Sequence, residues 1–345
     1  MALILVTGGA GFLGINLCRH FLRLGHRVRS LDIADFAYPE RGSVEALRGD
    51  IRNCASVDAA MKDVSIVVHC AAALPQQSAW EIHSTNVEGT RLLLGAAPRF
   101  GIDRFVFISS TAVYGIPDHH PLTERDPLHG VGPYGKSKIA GEQLCLQYRA
   151  AGHCVPILRP KTFVGPERLG VFELLYRWAY EGRNFPVLGE GTNRYQLLDV
   201  ADLCEVIERC CLRDDPLVND TFNVGAAQFG TMRENIECVL AHAGKGGHVV
   251  SLPEAPARWA LGLLRALHLS PLYAWIYATA AADSYVSIDR LQQCLQYVPR
   301  SSNAAALIKN YDWYLAHRAE YRERTGKTHR LPWNEGALAL ARHFF

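Results

Sequence analysis

Tyr134 and Lys138 stand four residues apart in Tyr134-Gly135-Lys136-Ser137-Lys138, so a helix through them puts both side chains on one face. A free phenol, with a pKa of about 10, is a poor base at neutral pH. A neighbouring ammonium favours the phenolate, and the pair can then take a proton from an alcohol. Ser110, in Phe107-Ile108-Ser109-Ser110-Thr111-Ala112-Val113-Tyr114-Gly115, could share the alcohol's hydrogen bond and steady a developing alkoxide. Thr111 is the alternative for that hydroxyl role. A tyrosine and a lysine at this spacing decorate many helix surfaces, so their meaning depends on what else the chain carries.

It carries a glycine motif, Thr7-Gly8-Gly9-Ala10-Gly11-Phe12-Leu13-Gly14. Gly8 suits the tight turn after a strand, Gly11 lets the backbone approach a diphosphate, and Gly14 allows close packing of a helix on a sheet. Phe12 and Leu13 then open that helix, whose free N–H groups and dipole favour phosphate. Asp32 follows about twenty residues on, where an acidic residue accepts the hydroxyls of the adenosine ribose. Its carboxylate repels a 2′-phosphate, and Ile33-Ala34 supply no arginine to attract one. NAD is therefore expected rather than NADP. The plainer alternative for Asp32 is a solvated residue at a strand end.

The elements that must position these groups are short β-branched runs alternating with helical stretches. Strands are expected over residues 3–7, 27–32, 65–70, 105–109, 154–158, 196–198 and 221–224. Helices are expected over 12–24, 57–61, 85–98, 134–151, 171–182, 200–212 and 232–243. Such alternation implies βαβ units. The fold class is α/β: a Rossmann-type doubly wound parallel sheet with a smaller, mainly helical C-terminal part that binds substrate. Residues 1–160, with 195–225 returning to them, form the dinucleotide-binding domain; 161–194 and 226–345 form the substrate-binding part.

Composition agrees with that division and excludes other classes. The 345 residues are 49% hydrophobic and carry a net charge of +2, which fits a globular protein and gives no basic surface for nucleic acid. The ten cysteines show no zinc or redox spacing. Met1-Ala2-Leu3-Ile4-Leu5-Val6 has no basic segment ahead of it and reads as a strand, not a signal peptide. A reducing, cytoplasmic setting is expected. His119, His120 and His129 lie in a loop without a carboxylate partner, and no metal is assigned.

Taken together, the chain resembles the extended short-chain dehydrogenase/reductase family, in its NAD-dependent epimerase/dehydratase branch. The resemblance rests on the glycine motif, Asp50-Ile51, Ala71-Ala72-Ala73, Asn86 in Ser84-Thr85-Asn86-Val87, the 107–115 segment, the Tyr134–Lys138 segment and Arg159-Pro160. It implies that Asp50 and Ile51 bind the adenine and that Ala71, Ala72 and Ala73 line the cofactor path. It further implies that Pro160 lies near the nicotinamide, that Lys138 holds the nicotinamide ribose, and that Ser110, Tyr134 and Lys138 are catalytic. Extended members are commonly dimers, so a homodimer is expected.

By the same resemblance the substrate is a nucleotide sugar. Arg194 falls where that branch places a diphosphate-binding arginine, although pairing with Asp199 or Asp202 is an alternative. Thr162 stands where many members carry asparagine. A second diphosphate arginine, sought in 272–284, is absent. The leading expectation is an epimerase acting at C4 of a UDP- or related sugar. A dehydratase is disfavoured because Thr111-Ala112 replaces the Asp-Glu pair of that branch. The rival is an oxidoreductase resembling 3β-hydroxysteroid dehydrogenases that acts on a hydrophobic alcohol or ketone, and a non-catalytic NAD(H)-binding regulator is a further alternative. The apolar stretch 257–277 is too interrupted to span a bilayer. It could pack on the fold or between subunits, line an apolar pocket, or contact a membrane peripherally at its inner face.

Overall fold

The computed structural model describes residues 2–214, 216–257, 259, 282–321, 326 and 329–331. The apolar stretch 257–277 falls almost wholly outside them. The chain divides into two compact units. The first comprises Met1–Lys161, Val200–Gly225 and Val286–Val298; the second comprises Thr162–Asp199, Ala226–Tyr285 and Pro299–Phe345.

The first unit is built on one parallel sheet. Its early strands are β1 (Leu3–Thr7), β2 (Arg27–Asp32), β3 (Val44–Arg48), β4 (Ile66–His69) and β5 (Arg104–Ile108), followed by β6 (Ile157–Pro160). The seventh strand, Thr221–Val224, closes the edge beside β6, and the order from the other edge is β3-β2-β1-β4-β5-β6. Every pairing is parallel. β1 and β4 are buried at every position, as expected for central strands covered on both faces, and so they read as unbroken apolar runs. The strand order reverses between β1 and β4, which makes their C-terminal ends the place where such sheets bind ligands.

Helices α1 (Phe12–Arg23), α2 (Cys54–Met61) and α5 (Gly132–Ala150) connect these strands, as do α3 (Ala79–His83) and α4 (Thr90–Ala96). The helix expected over 85–98 starts earlier, because Ser78 and Glu81 form a reciprocal cap at its N-terminus. Between α3 and α4 it widens into a π-helical segment, Ser84–Gly89, and it ends as a 3₁₀ turn containing Pro98. The strand expected over 154–158 is shifted to Ile157–Pro160: Pro156 has no N–H for the ladder, and Cys154 makes only an isolated bridge to Arg104. All ten cysteines are free thiols, and Cys210 and Cys211 are buried.

The second unit has its own core, in which Val164, Leu175, Tyr176, Leu197, Ile236, Val239 and Leu307 pack together. Two small parallel sheets flank it. One pairs Phe163–Val164 with Leu198–Asp199, and the other pairs Phe185–Leu188 with Val249–Leu252. Helices Val171–Glu181, Met232–Ala243 and Asn303–Tyr321 complete it.

Candidate active site

The turn between β1 and α1 fits a diphosphate cofactor. Gly8 has φ +70°, and a Cβ there would stand 2.8 Å from the Ala71 nitrogen. A Cβ at Gly14 would collide with the Gly8 carbonyl and the Gly9 backbone. Only glycines allow α1 to start so close to the sheet. α1 begins at Gly11 with no side-chain cap and no acidic residue in its first turn, so its N-terminal N–H groups, at Phe12 and Leu13, suit an anion.

Asp32 closes one side of this cradle. Its Oδ2 accepts from the Ala10 N–H at 3.0 Å and its Oδ1 from the Ala34 N–H at 2.9 Å. A carboxylate at this place, accepting only, suits the hydroxyls of a ribose. One arginine does approach, although none stands at 33–34. Arg48 is in register with Asp32 across β2 and β3, and its guanidinium goes to the Ile33 carbonyl and Asp35.

Asp50 is gripped by Arg52, with contacts of 2.6–3.0 Å, and that guanidinium holds its carboxyl below the usual range. Ile51 is buried. Ala71 N–H donates to the Thr7 hydroxyl at 3.2 Å. Ala72 is partly exposed beside it. Ala73 exchanges two bonds with the Asn86 side chain, at 2.7 and 3.2 Å.

Ser110 follows the C-terminal end of β5, and Lys138, beside Tyr134 on α5, is bonded to the last residue of that strand. Ser110 caps the 3₁₀ turn Thr111–Tyr114: its Oγ accepts from the Ala112 N–H at 3.1 Å, which leaves its O–H to donate. Thr111 directs its hydroxyl to the Pro160 carbonyl at 3.4 Å. Helix α5 comes down on this turn at Gly135, where a Cβ would stand 2.9 Å from the Ala112 oxygen. The side chain before Gly135 is Tyr134, half-buried. Lys138 is 4% exposed; its Nζ donates to the Ile108 carbonyl at 2.8 Å and lies 5.9 Å from the centre of the Tyr134 ring. Burial pushes its pKa down to about 8, against the opposing influence of Cys70, Glu142 and Cys145.

Asn86 and Arg159 stood in the sequence only as motif residues without stated partners, and Ser137, His69 and Glu142 were given no role there. Asn86 donates to Ser137 Oγ at 3.0 Å, and Ser137 donates to the Tyr134 carbonyl at 2.8 Å. The π-helical segment thus ties Ala73 to the start of α5. His69 bridges Thr7 and Thr90 at 2.7 and 2.9 Å. Glu142 and Arg159 form a buried ion pair at 2.6 Å. Glu142 lies four residues after Lys138, a spacing visible in the sequence; its partner on β6 is not. His119, read as lacking a carboxylate, has two: Asp118 at 2.8 Å and Asp126 at 3.1 Å.

Thr162 and Arg194 belong to the second unit. The Thr162 side chain shares a hydrogen bond with Tyr195. Arg194 has two alternative partners by sequence, of which Asp199 takes Lys309 at 3.1 Å and Asp202 takes the Tyr297 hydroxyl at 2.6 Å. Its guanidinium lies 4.9 Å from the Phe229 ring centre and 4.5 Å from that of Tyr285. Among the described residues no helix is long and apolar enough to cross a membrane.

Comparison with known proteins bears on this arrangement. The chain is 30% identical over 335 residues to a dTDP-glucose 4,6-dehydratase of Streptomyces antibioticus, covering 92% of this chain and 93% of that one. It is 28% identical over 342 residues to a 3 beta-hydroxysteroid dehydrogenase/Delta 5-->4-isomerase of Mycobacterium tuberculosis, covering 91% and 90%. The fold matches that of a UDP-glucose 4-epimerase from Thermotoga maritima solved with UDP-glucose. That match has a TM-score of 0.75 and 20% identity, and covers 92% of this chain and 99% of that one. The profile of the NAD dependent epimerase/dehydratase family matches residues 4–225, from β1 to the last strand of the sheet. With NAD as its cofactor, the chain belongs to the NAD dependent epimerase/dehydratase family.

Proposed function

We propose that the protein is a nucleotide-sugar epimerase acting at C4 of a UDP- or related sugar, with Ser110, Tyr134 and Lys138 as its reacting groups. When bound, NAD⁺ supplies reversible two-electron oxidation of the carbinol carbon. The Tyr134 phenolate takes the proton of the sugar hydroxyl, and the Lys138 ammonium favours that phenolate. Ser110 donates to the same oxygen as it becomes alkoxide-like. Once the keto sugar has presented its other face, Tyr134 returns the proton. The product is the epimer, and reduced cofactor does not accumulate. The guanidinium of Arg194 suits a diphosphate, and Thr162 is its companion in substrate binding.

The observation that carries epimerisation over dehydration is the turn after Ser110. Eliminating water needs a further acid and base beyond Tyr134. Here Thr111 is bonded to Pro160 and Ala112 is pressed against Gly135, so this turn offers no carboxylate. A second reading, oxidation of a hydrophobic alcohol, is favoured by the hydroxysteroid dehydrogenase relative and by the apolar stretch 257–277. The test is to incubate the purified protein with UDP- and GDP-sugars, following both NADH absorbance and product NMR. Epimer without accumulating NADH is expected. NADH accumulating with a 3β-hydroxysteroid, and no reaction with any sugar nucleotide, would reverse the assignment.

A further inference from the structure

The face of α5 that carries Tyr134 and Lys138 continues one turn further to Glu142, which is 1% exposed. Both oxygens of this carboxylate are occupied. Oε1 accepts from Ser109 Oγ at 2.5 Å and from Arg159 Nε at 2.9 Å; Oε2 accepts from Arg159 Nη2 at 2.6 Å. Arg159 is fixed in turn, because its Nη1 donates to the Tyr114 hydroxyl at 2.9 Å and to the Glu124 carbonyl at 3.3 Å. Tyr114 then donates to Asn223 Oδ1 at 2.7 Å.

The consequence lies in which strand residues are held. Lys138 takes the carbonyl of Ile108, and Glu142 takes the hydroxyl of Ser109. The last residue of β5 and the residue after it are bonded to two consecutive turns of α5, and Ser110 is next along the chain. A buried ion pair is a weak device for stability, since apolar side chains of similar volume often serve as well. A fully hydrogen-bonded one does fix geometry. We propose that Glu142 is a positioning residue: through Ser109 it holds Ser110 in place against the helix that bears Tyr134 and Lys138. This rests on the reading of those three residues as the reacting groups.

Ser109→Ala removes the tie and leaves the Glu142–Arg159 pair intact; Glu142→Gln keeps the shape and removes the charge. Assayed on the first sugar nucleotide that turns over, kcat should fall about 10²-fold in Glu142→Gln and about tenfold in Ser109→Ala. KM should stay within about threefold. Neither change should add to the loss caused by Ser110→Ala in the double variant, because the effect passes through Ser110. Losses that multiply, or a wild-type kcat in Ser109→Ala, overturn the proposal. If Glu142→Gln does not fold, Ser109→Ala decides alone.

If no tested substrate turns over, the functional reading fails and the positioning role is judged without substrate. Amide exchange across 110–114 in the NAD-loaded Ser109→Ala protein should then rise about tenfold or more; unchanged exchange overturns it.

Discussion

The Lys138 ammonium lies 5.9 Å from the centre of the Tyr134 ring while donating to the Ile108 carbonyl at 2.8 Å. The lysine is thus a fixed charge, buried against the strand that ends two residues before Ser110, and it faces the phenol from one helical turn away. Tyr134→Phe keeps the ring and removes the proposed proton acceptor. We expect kcat to fall by about 10²–10⁴-fold, the usual weight of a general base. NAD binding, measured by fluorescence titration, should remain within a few-fold of wild type. Full activity in the phenylalanine variant would reject Tyr134 as the base.

The pH profile follows from the same burial. Lys138 is pushed down to about 8, whereas an exposed lysine titrates at about 10.4. Below about 8 the ammonium is present and favours the phenolate. Above it the charge is lost, and Tyr134 reverts to an ordinary phenol. The rate should therefore decline through about pH 8, well before a solvated lysine would lose its proton. Measured kcat that holds level to about pH 10 would show that Lys138 is not the titrating support.

The elements behind these groups were largely legible because central strands of a parallel sheet are apolar throughout. Arg27–Asp32, Thr221–Val224 and helix Val200–Leu212 begin and end where their patterns do. β3 was not legible. It is an edge strand whose residues, Val44-Glu45-Ala46-Leu47-Arg48, grow more exposed along its length, so it lacks an apolar run. The supports of the site were hidden for another reason. Arg159 and Glu142 are 17 residues apart and meet only because α5 and β6 both pack on β5. Local pattern carries no record of such a pairing.

The cofactor cradle gives a stringent test at Gly14. An alanine there would drive its Cβ into the Gly8 carbonyl and the Gly9 backbone, and backbone atoms at a tight turn have little room to retreat. Forcing a methyl group into a packed site costs about 1–3 kcal/mol, and here the strain falls on the turn proposed to receive the diphosphate. Gly14→Ala should lower the unfolding midpoint and weaken NAD binding by about tenfold or more. Unaltered NAD affinity, by calorimetric titration, would mean that the turn does not hold the diphosphate.

His69 supplies a prediction about stability in acid. It is 2% exposed, wedged between the Thr7 and Thr90 hydroxyls. Burial, aided by the Lys138 charge, pushes its pKa down to about 3. The unfolded chain has a histidine of about 6.5. Between those values the unfolded state binds a proton that the native state refuses, so stability falls as pH falls. The contribution is complete above about 6.5 and is lost progressively down to about 3, an effect of order a few kcal/mol. Carboxylates held low by their partners, such as Glu45 and Asp50, act in the same direction, but they are common to wild type and variant. Urea unfolding of wild type and His69→Asn at about pH 7, 5 and 4 separates the two sources. The variant should be less stable at neutral pH, because it loses the bridge between the threonines. Its deficit should shrink as the pH is lowered, since asparagine has no proton to refuse. A deficit that stays constant across that range would show that His69 titrates normally in the folded protein.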